Sequence, residues 1–236
     1  NQPLDDWNVA SVNDMQGMFY EATNFNQSLN DWNVASVNTM KEMFEEASNF
    51  NQPLDDWDVA SVTDMAYMFK YATYFNQPID DWNVASVDSM YDMFSGATNF
   101  NQPLDDWNVA NVKNMAFMFK QATTFNQPLD DWNVASVNYM ISMFQDASNF
   151  NQSLNCWNLS SVANIKYMLN EATDFNQCLS TWADKIQPEV NIGNIFSSSG
   201  CPDKNPAVNV APWCQGVADQ CYAPSETPSI SPSVSA

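Results

Sequence analysis

Carboxylates are the groups in this chain whose spacing most plainly suggests chemistry. Asp6, Asp31, Asp56, Asp81, Asp106 and Asp131 recur at a fixed interval, and Asp5, Asp55, Asp80, Asp105 and Asp130 form a row beside them. If consecutive members sit about 4.8 Å apart, as stacked parallel strands do, each neighbouring pair repels by roughly 0.9 kcal/mol in bulk water. A hard cation such as Ca²⁺ takes carboxylate oxygens and removes that repulsion. The two rows are therefore a candidate cation-binding ladder, and Ca²⁺ is the one candidate cofactor. The competing and favoured reading has each aspartate capping a local turn and pointing to water, since the chain has no EF-hand-like loop and no calcium-binding nonapeptide.

Five cysteines, Cys156, Cys178, Cys201, Cys214 and Cys221, all fall from residue 156 onward. They read as disulfide candidates that staple a terminal cap and imply an oxidising compartment. Their pairing is not fixed by sequence, and the odd number leaves one thiol over. Zinc is the weaker reading, because the last three lack the close pairs a structural zinc site takes.

Histidine is absent, which removes the commonest general base and the commonest transition-metal ligand. No glycine-rich phosphate loop or nucleophile elbow is present. The expectation is a protein that is not an enzyme. With 28 acidic against 7 basic residues, the net charge is −21. That charge opposes nucleic acid, whose binding depends on lysine and arginine, and opposes anionic lipid. No apolar run is long enough for a membrane-spanning helix.

These residues ride on a repeat. Trp7, Trp32, Trp57, Trp82, Trp107, Trp132, Trp157 and Trp182 are separated by 25 residues each time. Such regularity suits stacked units that each meet only their neighbours. In the first unit Met15, Met18, Phe19 and Ala22 follow the spacing of one helix face, with Ser11 and Asp14 placed as in a capping box. Trp7 and Val9 alternate with polar residues, as in a short strand. An asparagine row, from Asn1 and Asn26 through Asn51, Asn76, Asn101, Asn126 and Asn151 to Asn176, reads as structural, its amides satisfying the turn between units.

The unit W-N-V-x-x-V-x-x-M-x-x-M-F-x-x-A-x-x-F-N resembles the BspA-like leucine-rich repeat of bacterial and microbial-eukaryote surface proteins, found also in mycoplasma lipoproteins. The resemblance covers about residues 1–182 and departs from the pattern at Leu159, Ile165 and Leu169. It implies an α/β repeat solenoid, a leucine-rich-repeat-like right-handed coil with one short parallel strand and one short helix per unit. It further implies a cell-surface or secreted module for adhesion or recognition, with no catalytic residues to carry over.

Where the units differ, the differences gather on the outer side of the expected helix. Tyr67, Tyr71, Tyr74, Tyr91, Phe117 and Tyr139 stand there and are the candidate partner-contact residues. The expected partner is a protein or a polysaccharide. Self-association into an extracellular fibre or wall component is the alternative. Of three N-glycosylation sequons, at Asn26, Asn151 and Asn158, the first two belong to the asparagine row, so Asn158 is the candidate glycan site.

Three segments follow: a repeat region over 1–182, a cysteine-containing cap over 183–223, and a Ser/Pro/Thr-rich linker or stalk over 224–236. In the cap, Val190, Ile192, Ile195 and Phe196 are expected to cover the open end of the stack. The chain begins mid-unit, without a methionine or a signal peptide, as a fragment or processed product would.

Overall fold

The apolar residues at unit positions 15, 18, 19, 22 and 25 face inward, but not on a helix. In the computed structural model, which describes residues 2–4, 6–207 and 213–214, these stretches are chains of tight turns. The unit from 51 to 75 shows how. The backbone N–H groups of Met68, Lys70, Ala72 and Phe75 donate to the carbonyls of Met65, Tyr67, Phe69 and Ala72, each three residues back. The N–H groups between them go elsewhere. Met65, Tyr67, Phe69 and Tyr71 donate to Ser89, Tyr91, Met93 and Ser95 of the following unit, at 2.7 to 3.1 Å.

This division corrects the expected helix. A series of three-residue turns brings side chains inward at i, i+3, i+4 and i+7 just as a helix does, so the apolar spacing fits both. An α-helix spends its backbone N–H groups on its own carbonyls. Here every second N–H binds the neighbouring unit, and none of the buried donors needs to be left unpaired. Within the described residues the single α-helix is α1, Trp182–Lys185. The capping box is absent too: the Asp64 carboxylate accepts from the N–H of Ala66, two residues on, at 2.9 Å.

The parallel pairing also lies elsewhere than at Trp7 and Val9. Isolated bridges join Asp14, Thr39, Asp64, Ser89, Asn114, Tyr139, Asn164 and Asn191 in one continuous series. At the tryptophan the units are joined through the side chain instead. Trp57 Nε1 donates to the Leu29 carbonyl at 2.9 Å, and Trp82, Trp107, Trp132, Trp157 and Trp182 repeat this bond to the unit before. Each buried indole N–H thus has its partner.

Between units, like residues lie on like. Trp82, Trp107 and Trp132 stack with centroids 6.4 to 6.5 Å apart and planes within 4°. Phe44, Phe69, Phe94 and Phe119 stack at 5.5 to 5.7 Å. The asparagine row is a hydrogen-bond ladder: Asn76 Oδ1 accepts the backbone N–H of Asn101 at 2.9 Å and the Gln102 side-chain amide at 3.0 Å. Asn51, Asn101, Asn126 and Asn151 do the same. At the last rung, Asn176 Oδ1 is buried without a partner.

Beyond Trp182 the register slips. Asn164 pairs with Asn191 rather than with residue 189. Val190, Ile195 and Phe196 are buried and Ile192 packs against the core, as expected of a cover. Trp213 completes it. Its ring is fully buried, edge-on to Trp182 at 6.4 Å and to Phe196 at 6.3 Å, and its carbonyl accepts the N–H of Leu179 at 3.0 Å.

Candidate recognition face

Each unit repeats the same two left-handed backbone positions along its turn series. The third residue of a turn that closes with positive φ must sit in the left-handed region, and two such residues occur per unit. At position 17 these are Gly17, Glu42, Tyr67, Asp92, Phe117, Ser142 and Tyr167; at position 21 they are Glu21, Glu46, Tyr71, Gly96, Gln121, Asp146 and Glu171. A side chain in that conformation costs roughly 1–2 kcal/mol relative to the right-handed one. Glycine avoids the cost, yet only Gly17 and Gly96 use it.

The aromatic residues expected on this side divide into two groups. Tyr67, Tyr91 and Phe117 interlock edge to face across three units, with centroids 5.0 and 5.6 Å apart, and are half-buried. Tyr71, Tyr74 and Tyr139 are exposed. Burial and the neighbouring Tyr67 push the Tyr91 hydroxyl above its usual range.

Lysine runs through the same face, which residue-type reasoning overlooked. Lys70 Nζ lies 2.9 Å from Glu45 Oε1, 3.8 Å from Asp92 Oδ2, 4.9 Å from the centre of the Tyr67 ring and 5.5 Å from that of Tyr71. Lys120 sits over Phe117, Lys166 over Tyr167 and Lys41 at the edge of reach of Tyr67. Their signal in the sequence was positional: these four of the chain's basic residues occupy unit positions 16 and 20. Burial pushes the Asp92 carboxyl upward, and the Ser95 hydrogen bond with the Lys70 and Lys120 charges offsets this only in part.

The aspartate rows stand apart from this face. Asp6, Asp31, Asp55, Asp56, Asp81, Asp105, Asp106 and Asp131 are exposed, and Asp80 and Asp130 are half-buried. Asp56 Oδ2 accepts the Asn30 side-chain amide at 2.6 Å. Among the described residues no three acidic, cysteine or histidine side chains gather as a metal would require. Asp5 lies outside the described residues.

Cys201 and Cys214 form a disulfide, with Cα atoms 4.8 Å apart. Cys178 is disulfide-bonded as well, and Cys156 is an exposed free thiol. Cys221 and the 224–236 segment lie outside the described residues. Asn158 is exposed, its Oδ1 accepting the N–H of Ser160 at 3.1 Å. Of the other sequon asparagines, Asn151 is half-buried in the ladder, whereas Asn26 is exposed though its Oδ1 serves the ladder.

The repeat that builds this face is shared. The family described as Mycoplasma protein of unknown function, DUF285, matches residues 1–107 and again 78–182. The chain belongs to that family. No curated protein and no solved structure matches it. The DUF285 matches end at Trp182, where the register slips and the cap begins. Face and ladders alike are therefore built on DUF285 repeats, whereas Trp213 and the Cys201–Cys214 bridge lie beyond the matched region.

Proposed function

We propose that this DUF285 protein is a non-enzymatic recognition module of the BspA-like leucine-rich-repeat kind, secreted or held at a cell surface, whose stacked units form a solenoid. It binds a protein or glycan through the outer turn face. The observation that carries this reading is the occupancy of the left-handed positions. The left-handed backbone taken by itself favours glycine at positions 17 and 21 of every unit. Instead the chain places Glu42, Tyr67, Tyr71, Phe117 and Tyr167 there. Side chains kept at a conformational cost, differing from unit to unit on an otherwise uniform scaffold, suit a surface that contacts something. The disulfides support an oxidising, extracellular setting.

The test compares two faces. Labelled protein is bound to surfaces coated with extracellular-matrix proteins or with cell-wall polysaccharides. Turn-face variants Tyr71→Ser, Tyr74→Ser and Tyr167→Ser are set against aspartate-row variants Asp81→Asn and Asp106→Asn. Loss confined to the turn-face set is the expected result. Loss confined to the aspartate set, or no binding to any surface, would contradict it.

A further inference from the structure

A small side-chain turn follows the tryptophan in each unit. Ala10, Ala35, Ala60, Ala85, Ala110 and Ala135 each donate the backbone N–H to the side-chain oxygen of the residue two before, at 3.1 to 3.2 Å. Asn158 closes the same turn on Ser160 at 3.1 Å. Among these turns this one alone has a hydroxyl at its third place, so Asn158-Leu159-Ser160 is the one glycosylation sequon in the row. Leu159 is fully buried between them, which holds Asn158 and Ser160 out together, both exposed. The turn engages Oδ1 and leaves the amide nitrogen uncommitted: among the described residues Asn158 Nδ2 donates to no acceptor.

From this geometry, and resting on the extracellular setting proposed above, we infer that Asn158 Nδ2 is the attachment atom of an N-linked oligosaccharide. The donor is a lipid-linked oligosaccharyl pyrophosphate. A bond forms from Nδ2 to the anomeric carbon as the bond from that carbon to the pyrophosphate oxygen breaks. The lipid pyrophosphate leaves, and one amide proton passes to a base of the transferase. A bulky, solvated group of this kind needs a surface site that the fold does not use. The other two sequon asparagines are used. Asn151 is half-buried, and its Oδ1 accepts the Asn176 N–H at 3.0 Å and the Gln177 amide at 2.9 Å. Asn26 Oδ1 accepts the Asn51 N–H and the Gln52 amide, both at 3.0 Å. A glycan on either would have to fit around two bonds of the ladder, whereas at Asn158 it displaces none. The row also ends here. The residue 25 places on is Ala183, buried in α1, so one side of Asn158 has no asparagine neighbour to crowd a sugar.

The experiment expresses the full chain behind a secretion leader in a eukaryotic host. Chain from both cells and medium is treated with peptide N-glycosidase in heavy-oxygen water, and its peptides are mapped by mass spectrometry. The expected result is an oxygen label at Asn158, lost in Asn158→Gln and in Ser160→Ala. Ser160→Ala installs the alanine that the earlier units carry in this turn, so its fold is expected to be kept. Moving the hydroxyl with Ser160→Ala/Ala85→Ser should move the label to Asn83, which closes the same turn. Glycosylated chain should also unfold at a midpoint no lower than that of Ser160→Ala. No label at Asn158, a label that survives Ser160→Ala, or a glycan that lowers the unfolding midpoint overturns the inference. Failure of the moved sequon to acquire the label overturns it as well. The leader imposes the compartment, so a missing glycan counts against the site and leaves the recognition reading to the surface-binding test above.

Discussion

The ring of Tyr71 fills the space that a β-carbon on Gly96 would need. Both residues are at the same position of adjacent units, and both have left-handed backbones, φ 55° and 69°. One unit's side chain is thus accommodated by the next unit's lack of one. Gly96→Ala should displace the ring and strain the backbone, lowering stability by about 1 kcal/mol or more. Urea unfolding checks this; an unchanged midpoint would mean the ring moves aside without cost.

Gln121 is left-handed at φ 59°, in the row where Gly96 stands. Gln121→Gly should raise stability by up to about 1 kcal/mol, the relief of the left-handed conformation being partly offset by the freer unfolded chain. A clear loss on denaturation would show that the glutamine is there to support the fold, and would undercut the functional reading of these positions.

How far the sequence carried the fold is clearest at the tryptophans and at Met15–Ala22. The period and the inward residues were legible because burial repeats with the chain. Helix and turn series were not distinguishable there, because both bring i, i+3, i+4 and i+7 inward; the choice lies in which N–H groups cross between units, which composition does not encode. The asparagine row was legible because a short amide repeated beside a buried phenylalanine has few other uses. Trp213 was overlooked because it is off the 25-residue lattice. On the outer face the aromatic residues were visible, but the lysines threading between them were not, since each looks like an isolated surface charge until stacked on its neighbours.

Trp107 is 3% exposed, stacked between Trp82 and Trp132, and bonded through Nε1 to Ile79. Trp107→Ala removes stacking on both sides, opens a cavity and removes the Nε1 hydrogen bond, although the Ile79 carbonyl keeps the Trp82 N–H, so a loss of about 3–5 kcal/mol is expected. Trp7, at 54% exposure, should lose far less on the same change. Comparable losses at both sites would contradict the stacked core.

Asp92 sets a pH dependence. Its carboxyl is held above the usual carboxylate range, first by burial. The folded state then binds its proton more tightly than the unfolded chain does, so stability falls as pH rises from the unfolded value through the folded one. Asp92→Asn should be more stable than the parent at neutral pH, and the gap should narrow as the pH is lowered through the carboxylate range. Thermal unfolding between pH 3 and pH 7 reads this directly. A gap that widens in acid would mean the ionised carboxylate is the favoured form.

Residue i of one unit lies against residue i+25 of the next, as at Trp82, Trp107 and Trp132, so units are interchangeable lengths of one stack. Deleting one whole unit, residues 101–125, joins Phe100 to Asn126 and restores the tryptophan, phenylalanine and asparagine ladders intact. Removing residues 101–112 instead breaks all three. Circular dichroism with urea unfolding compares the two deletions. The account predicts that the 25-residue deletion keeps a cooperative transition with a modestly lower midpoint, while the 12-residue deletion loses it. Equal damage from both, or tolerance of both, would contradict the stacking itself.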